Sequence, residues 1–164
     1  MVQTTQKACA GDIMQTEIVT ASPRDTLRET LDSMTQNHVT GLPVMDSRNR
    51  LVGVISATDI LNFEQENVEL TDDTNFETAR YFDPDTDRWE DICVTSFALE
   101  QFSETPVREL MNRNVISVAP ETPLNEVARL MIEQDIHRVL VLEKERSLLG
   151  IVSAFDFVRD AAEV

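Results

Sequence analysis

A single gapless offset of 97 residues maps much of this chain onto itself. It pairs Met14 with Met111, Pro23 with Pro120, Leu27 with Leu124, Glu29 with Glu126 and Met34 with Met131. It continues through Val44 and Val141, Leu51 and Leu148, Gly53 and Gly150, Ser56 and Ser153, and Asp59 and Asp156. Identities that keep one spacing from end to end are the mark of a tandem duplication. Each copy is about 50 to 60 residues, marginal as an independent core, so the two are expected to pack into one module.

The densest part of the repeat is G-V-I-S-A-T-D at 53–59, matched by G-I-V-S-A-F-D at 150–156. A glycine and two β-branched residues read as strand, and the serine marks a turn. The apolar residues after the aspartate, Ile60-Leu61 or Phe157-Val158, read as a helix start. The Ser-x-x-Asp spacing has two physical readings. One is a helix cap, in which the serine oxygen takes an orphan backbone N–H and the acid favours the positive end of the helix. The other is a nucleotide site, with N–H groups and a hydroxyl suited to phosphate and a carboxylate that accepts from ribose hydroxyls.

The rest of each copy follows one plan. A short turn (11–14 or 107–111) leads into a β-rich piece, Ile18-Val19-Thr20 or 115–118, and Pro23 or Pro120 then marks a turn. Thr122 is the expected cap of the next helix, with Pro123 at its first position, and Asp25 holds the equivalent place in the first copy. Leu27, Leu31 and Met34, matched by Leu124, Val127, Ala128 and Met131, put one helix face in the core. Two β runs follow, 39–45 and 51–56, joined by the hairpin loop Asp46-Ser47-Arg48-Asn49-Arg50, with 136–142 and 148–153 as their counterparts. The fold class is therefore α/β (α+β): two β-α-β-β-α units, at 8–66 and 105–164, around an insertion at 67–104.

Charge separates the repeats from what lies between them. The net charge is −16, and residues 62–105 hold thirteen acids against Arg80 and Arg88. This argues against a nucleic-acid partner, which requires a basic face. The same segment holds Trp89, Tyr81 and five of the seven phenylalanines, more aromatic character than a disordered linker has. Part of it is expected to pack, either over the module's own apolar surface, extending the closing helix past Phe63, or as an acidic docking surface or lid. Its tip, 83–87, lacks the glycine and distal glutamate of an EF-hand and reads as a solvated turn. No apolar run reaches bilayer length, and the N-terminus has no signal-peptide core, so the expected location is cytoplasmic, with no membrane partner. Cys9 and Cys93 read as free thiols.

With these motifs in place the chain resembles a tandem pair of CBS domains, the unit often called a Bateman module. The resemblance rests on D-I-M and E-L-M at the unit starts, V-T-A-S-P and I-S-V-A-P before the first helix, G-L-P-V-M-D and R-V-L-V-L-E in the second strand, and the two G-h-h-S-A-x-D strings. It implies two units packed about a pseudo-two-fold axis, with clefts for adenosine-containing ligands. It assigns Asp59 to ribose, with Ser56 and Thr58 at the phosphate, and gives Asp156 and Ser153 the same roles in the second copy. Phe155 breaks the hydroxyl pattern there, which makes the first copy the better expected site. The backbone around Thr20-Ala21 and Ser117-Val118 would line the adenine pocket.

His137-Arg138, where the first copy has Thr40-Gly41, resembles the phosphate-binding pair in the nucleotide-sensing subunit of AMP-activated protein kinase. A forked guanidinium suits phosphate, and the pair would reach across to Ser56, Thr58 and Asp59. It reads equally as an exposed pair at a strand entrance. No nucleotide-hydrolase or nucleophile-elbow motif is present, and His38 and His137 are the only histidines, so neither an enzyme nor a metal site is expected. The reading is a stand-alone regulatory module, expected as a homodimer, that binds AMP, ADP or ATP. The alternative is a ligand-independent dimerising scaffold that docks an unidentified partner protein through the acidic insertion.

Overall fold

The computed structural model describes residues 8–67, 76–83, 88–95 and 102–162. In chain order these hold α1 (Ala10–Ile13), α2 (Leu27–Asn37), β1 (Gly41–Met45), β2 (Leu51–Ser56), α3 (Ala57–Asn67), β3 (Phe76–Asp83) and β4 (Arg88–Thr95). After a 3-10 turn at Val107–Glu109 come β5 (Ser117–Val118), α4 (Leu124–Gln134), β6 (Arg138–Leu142), β7 (Leu148–Ser153) and α5 (Ala154–Ala162). The α/β class and the helix-hairpin-helix order of each copy agree with the sequence reading, while a strand before the first long helix is found only in the second copy.

The chain forms two compact units: Val19–Val115, and the stretch up to Ile18 joined with Ile116 onward. These units are not the sequence repeats. In the first, Val107 donates its N–H to the Asp25 carbonyl at 2.8 Å and Leu27 donates to Thr105 at 3.0 Å, so the turn that opens the second repeat packs with the first. In the other, Ala10 donates to the Thr122 carbonyl at 2.8 Å and Leu124 to Ala8 at 3.1 Å, which is the same arrangement with the repeats exchanged. Ala10 and Val107 are both fully buried, so each leading turn belongs to a core and is not a linker.

In the Val19–Val115 unit, β1 and β2 pair antiparallel from Gly41 opposite Ser56 to Met45 opposite Leu51, with a bulge at Val44/Met45. The hairpin loop is held by Asp46, whose Oδ1 accepts from the Arg48 and Arg50 N–H groups at 2.9 Å each. Asn49 supplies the left-handed residue, φ 59°, a conformation that asparagine tolerates. Leu27 and Met34 of α2 pack with Leu42, Val44, Ile55 and Phe102, and burying each such side chain contributes about 1.5–3 kcal/mol. Ile18-Val19-Thr20 is not a strand. Only Ala21 bridges to Val44, in parallel.

The cap of α2 is Thr26 and not Asp25. Thr26 Oγ1 accepts from the Glu29 N–H at 3.2 Å while the Glu29 carboxylate accepts from the Thr26 N–H at 2.8 Å, a complete capping box. Asp25 instead closes the preceding turn, accepting from Ser22 N–H at 2.7 Å. In the second repeat Pro123 is the residue before α4, in an extended conformation with ψ 141° and no side-chain cap, so it is not the first helical residue.

The other unit has the sheet order β5-β6-β7, with β5 parallel to β6 and β6 antiparallel to β7. Val127, Met131, Val139, Val141 and Val152 form its core with Ala10.

In the inserted segment, α3 runs on to Asn67, past Phe63. β3 and β4 then pair antiparallel from Phe76 opposite Thr95 to Asp83 opposite Arg88, a hairpin that composition alone did not announce. Phe102, 1% exposed, is a core residue of the Val19–Val115 unit. The segment's aromatic side chains other than Phe63 and Phe102, the Cys93 thiol and the tip at 84–87 lie outside the described residues. Among the described residues no helix is long and apolar enough to cross a membrane.

Candidate functional site

The string that opens α3 folds as strand, turn and helix start because its hydrogen bonds close on themselves. Ser56 Oγ accepts from the Asp59 N–H at 3.2 Å, and Asp59 Oδ2 accepts from the Ser56 N–H at 2.8 Å and from its hydroxyl at 2.6 Å. The cap reading of Ser-x-x-Asp is therefore realised. It uses only one carboxylate oxygen: Asp59 Oδ1 receives no hydrogen bond from the described residues. Thr58 is exposed on the same first turn and Asp59 is half-buried.

Backbone pairing brings the other expected residues of this copy alongside. The Ala57 N–H donates to the Thr40 carbonyl at 2.8 Å, and Ala21 donates to Pro43 at 2.9 Å while accepting from Met45 at 2.8 Å. Thr20-Ala21, β1 and the end of β2 thus lie in sequence across one sheet edge, with Ala21 buried and Thr20 exposed. The arrangement places a carboxylate oxygen and the Thr58 hydroxyl at the start of α3, where the Ala57 and Asp59 N–H groups are already taken by the Thr40 carbonyl and Ser56 Oγ.

In the second copy, Asp156 Oδ2 accepts from the Ser153 N–H and hydroxyl at 2.7 Å each. Its Oδ1 is also occupied, accepting from Gln15 Nε2 at 2.8 Å and from Arg159 Nη1 at 3.4 Å. Asp156 is 2% exposed. Burial pushes its carboxyl up, but the hydrogen bonds from Gln15 and Ser153, together with the Arg159 charge, outweigh burial and hold it below the ordinary aspartate range. Phe155 is 64% exposed, and the Arg159 guanidinium lies 5.6 Å from its ring centre, within cation–π range.

His137 and Arg138 belong to the unit of Asp156, while Ser56, Thr58 and Asp59 belong to the other. Within their own unit they stand beside the second motif: the His137 carbonyl accepts from the Ala154 N–H at 2.9 Å, and Arg138 is opposite Ser153 in the β6–β7 register. Ser117 is paired opposite Leu140 and Val118 opposite Val141. Val118 also lines an open depression of about 420 Å³ against Thr122 and the outer face of α4, the one expected residue that does. Sequence reasoning missed Gln15 and Arg159. The repeat held a signal for both, since their offset mates, Asn112 and Asn62, are different residues. Among the described residues no group of His, Cys, Asp and Glu is placed to hold a metal ion.

Comparison with known proteins agrees with this architecture. The CBS domain family matches residues 10–66 and 107–163. The uncharacterized protein MJ1426 of Methanocaldococcus jannaschii is 32% identical over 155 residues, covering 90% of this chain and 87% of that one. The crystal structure of CBSX2 in complex with AMP is similar at a TM-score of 0.68 and 23% identity, over 95% of this chain and 97% of that one. The CBS domain pair of MJ0100 in complex with 5-methylthioadenosine and S-adenosyl-L-methionine gives 0.65 and 22%, over 96% and 98%. At these identities the two structures speak for the fold. The chain belongs to the CBS domain family, one copy at residues 10–66 and a second at 107–163.

Proposed function

We propose that the chain is a regulatory module, without catalysis of its own, that binds an adenine nucleotide (AMP, ADP or ATP) at the first copy of the motif. One observation carries the proposal: Asp59 completes its helix cap with Oδ2 alone, leaving Oδ1 without a partner among the described residues, one position after the exposed hydroxyl of Thr58. A carboxylate oxygen accepts from ribose hydroxyls, and the start of α3 with Thr58 and Ser56 suits phosphate. Thr20 and Ala21 would flank the base. Ser117, Val118, Ser153 and Asp156 are the second copy's counterparts of these residues, with His137 and Arg138 as the basic pair beside them. That CBSX2 was crystallised with AMP, and the MJ0100 pair with two adenosyl compounds, supports an adenosine-containing ligand.

Regulation would follow by population shift, since a ligand moves an equilibrium only by its differential affinity for the states involved. Calorimetric titration with AMP, ADP and ATP tests the reading: heat of binding with at least one is expected, and none with any of the three overturns it. Self-association into a homodimer is part of the same proposal, read by sedimentation with and without nucleotide.

A second reading has its own observation, the β3–β4 hairpin, which places acidic and aromatic residues on two paired strands between the repeats. There the hairpin docks a partner protein and the repeats serve as scaffold. Deleting residues 68–96 separates the two, since the nucleotide reading expects retained ligand binding and the scaffold reading expects lost partner capture.

A further inference from the structure

The two copies of the motif differ in what reaches the second carboxylate oxygen: Asp156 Oδ1 accepts from Gln15 at 2.8 Å and, more distantly, from Arg159 at 3.4 Å, and Asp59 Oδ1 accepts from neither offset mate. Gln15 is anchored beside β7 by a reciprocal backbone pair with Ile151, 2.9 Å in each direction. From there its side-chain amide donates to Asp156 Oδ1 at 2.8 Å. Ser153 takes Oδ2 twice. Both oxygens of this buried carboxylate are thus engaged by the protein's own donors, with the Gln15 amide the shorter of the two contacts on Oδ1 beside Arg159 at 3.4 Å, and a ribose hydroxyl would have to compete with them.

The first copy has the same scaffold without that contact. Asn112, the offset mate of Gln15, makes the same reciprocal backbone pair, with Val54 at 2.8 and 2.9 Å. Its side chain is one methylene shorter. Its Oδ1 accepts from the Asn114 N–H at 2.9 Å, and Asp59 Oδ1 is left to other donors.

We propose that Gln15 is a built-in occupant of the second ribose position, so that the module takes one nucleotide per chain, at Asp59. The inference rests on the adenine-nucleotide reading and adds the residue that sets its stoichiometry. Phe155 reinforces the difference by replacing the Thr58 hydroxyl, but Gln15 is what closes the carboxylate. Residue 15 or 112 acts on the site through the aspartate and is a specificity-determining position.

Calorimetry with AMP, ADP and ATP in turn tests this on the full chain. Wild type is expected to bind one equivalent. Gln15→Asn, which installs the first copy's residue, is expected to bind two, and so is Gln15→Ala. Asn112→Gln is expected to weaken the wild-type site at least tenfold. Two equivalents on wild type, or one on both Gln15 variants with folding intact by circular dichroism, overturns the inference while leaving the nucleotide reading standing. No binding by any of these proteins overturns that reading and the inference with it.

Discussion

At the scale of single residues, Asp156 shows how a buried charge is kept ionised. Desolvation opposes the carboxylate, and the Gln15 amide, the two Ser153 donors and Arg159 together outweigh it. A carboxyl held below its unfolded value contributes stability above the unfolded pKa and loses it as pH falls through the folded one. The window therefore lies at and below the ordinary aspartate value, about 3.9. Shortening residue 15 removes the strongest opposing contact. The Asp156 carboxyl is expected to titrate at higher pH in Gln15→Asn than in wild type by carbon-detected NMR, and an unchanged titration would mean the amide does not reach it. Ser56 and Asp59 were legible in the sequence because a capping box spans four residues and needs nothing distant. The Gln15 contact spans 141 positions. An amide that meets a carboxylate only after the chain has folded leaves no local pattern.

At the scale of elements, the two glycines of the motif answer to close approach and not to an unusual dihedral. A methyl added at Gly150 would stand 2.5 Å from Met14 Sδ and 2.9 Å from its Cβ, and at Gly53 it would stand 2.9 Å from the Asn112 carbonyl oxygen. Each glycine lets the neighbouring leading turn lie against its strand. Gly150→Ala is expected to lower stability by about 1–3 kcal/mol, the usual cost of overpacking, read from urea unfolding at fixed pH; no change would show that Met14 yields freely. Thr26→Ala is expected to cost about 0.5–2 kcal/mol through loss of its cap. The periodic helices and the two hairpins at Asp46-Arg50 and Glu143-Ser147 were readable from pattern alone. The equivalence of Asp25 with Thr122 points one residue too early for the α2 cap, because T-L-R-E at 26–29 follows directly on S-P-R-D at 22–25 and in each string the acid accepts from the N–H three residues back. Only the second lies at the helix.

For the whole molecule, the duplication told which segments are equivalent but not which pack together. Each leading turn docks beside the other repeat's helix start, as the Val107–Asp25 and Ala10–Thr122 hydrogen bonds record. A repeat compares like with like, and this exchange preserves every comparison, so the sequence looks the same either way. The insertion was readable as something more than a linker from its aromatics, yet its hairpin was hidden by acids that strands seldom favour. Phe102 sits at the boundary that matters. Being fully buried among Leu27, Met34 and Ile55, it belongs to the core, and Phe102→Ala is expected to cost about 3–5 kcal/mol. Deleting 68–96, which spares it, is expected to leave nucleotide affinity within about twofold.

The central claim is that Asp59 receives the nucleotide. Its most direct test is calorimetric titration of the tightest-binding of AMP, ADP and ATP into Asp59→Ala beside wild type, with thermal unfolding of both as the control for folding. Losing one charge-assisted hydrogen bond, about 1.5–3 kcal/mol, predicts an affinity at least tenfold weaker in a protein that still folds. Affinity equal to wild type would contradict the account.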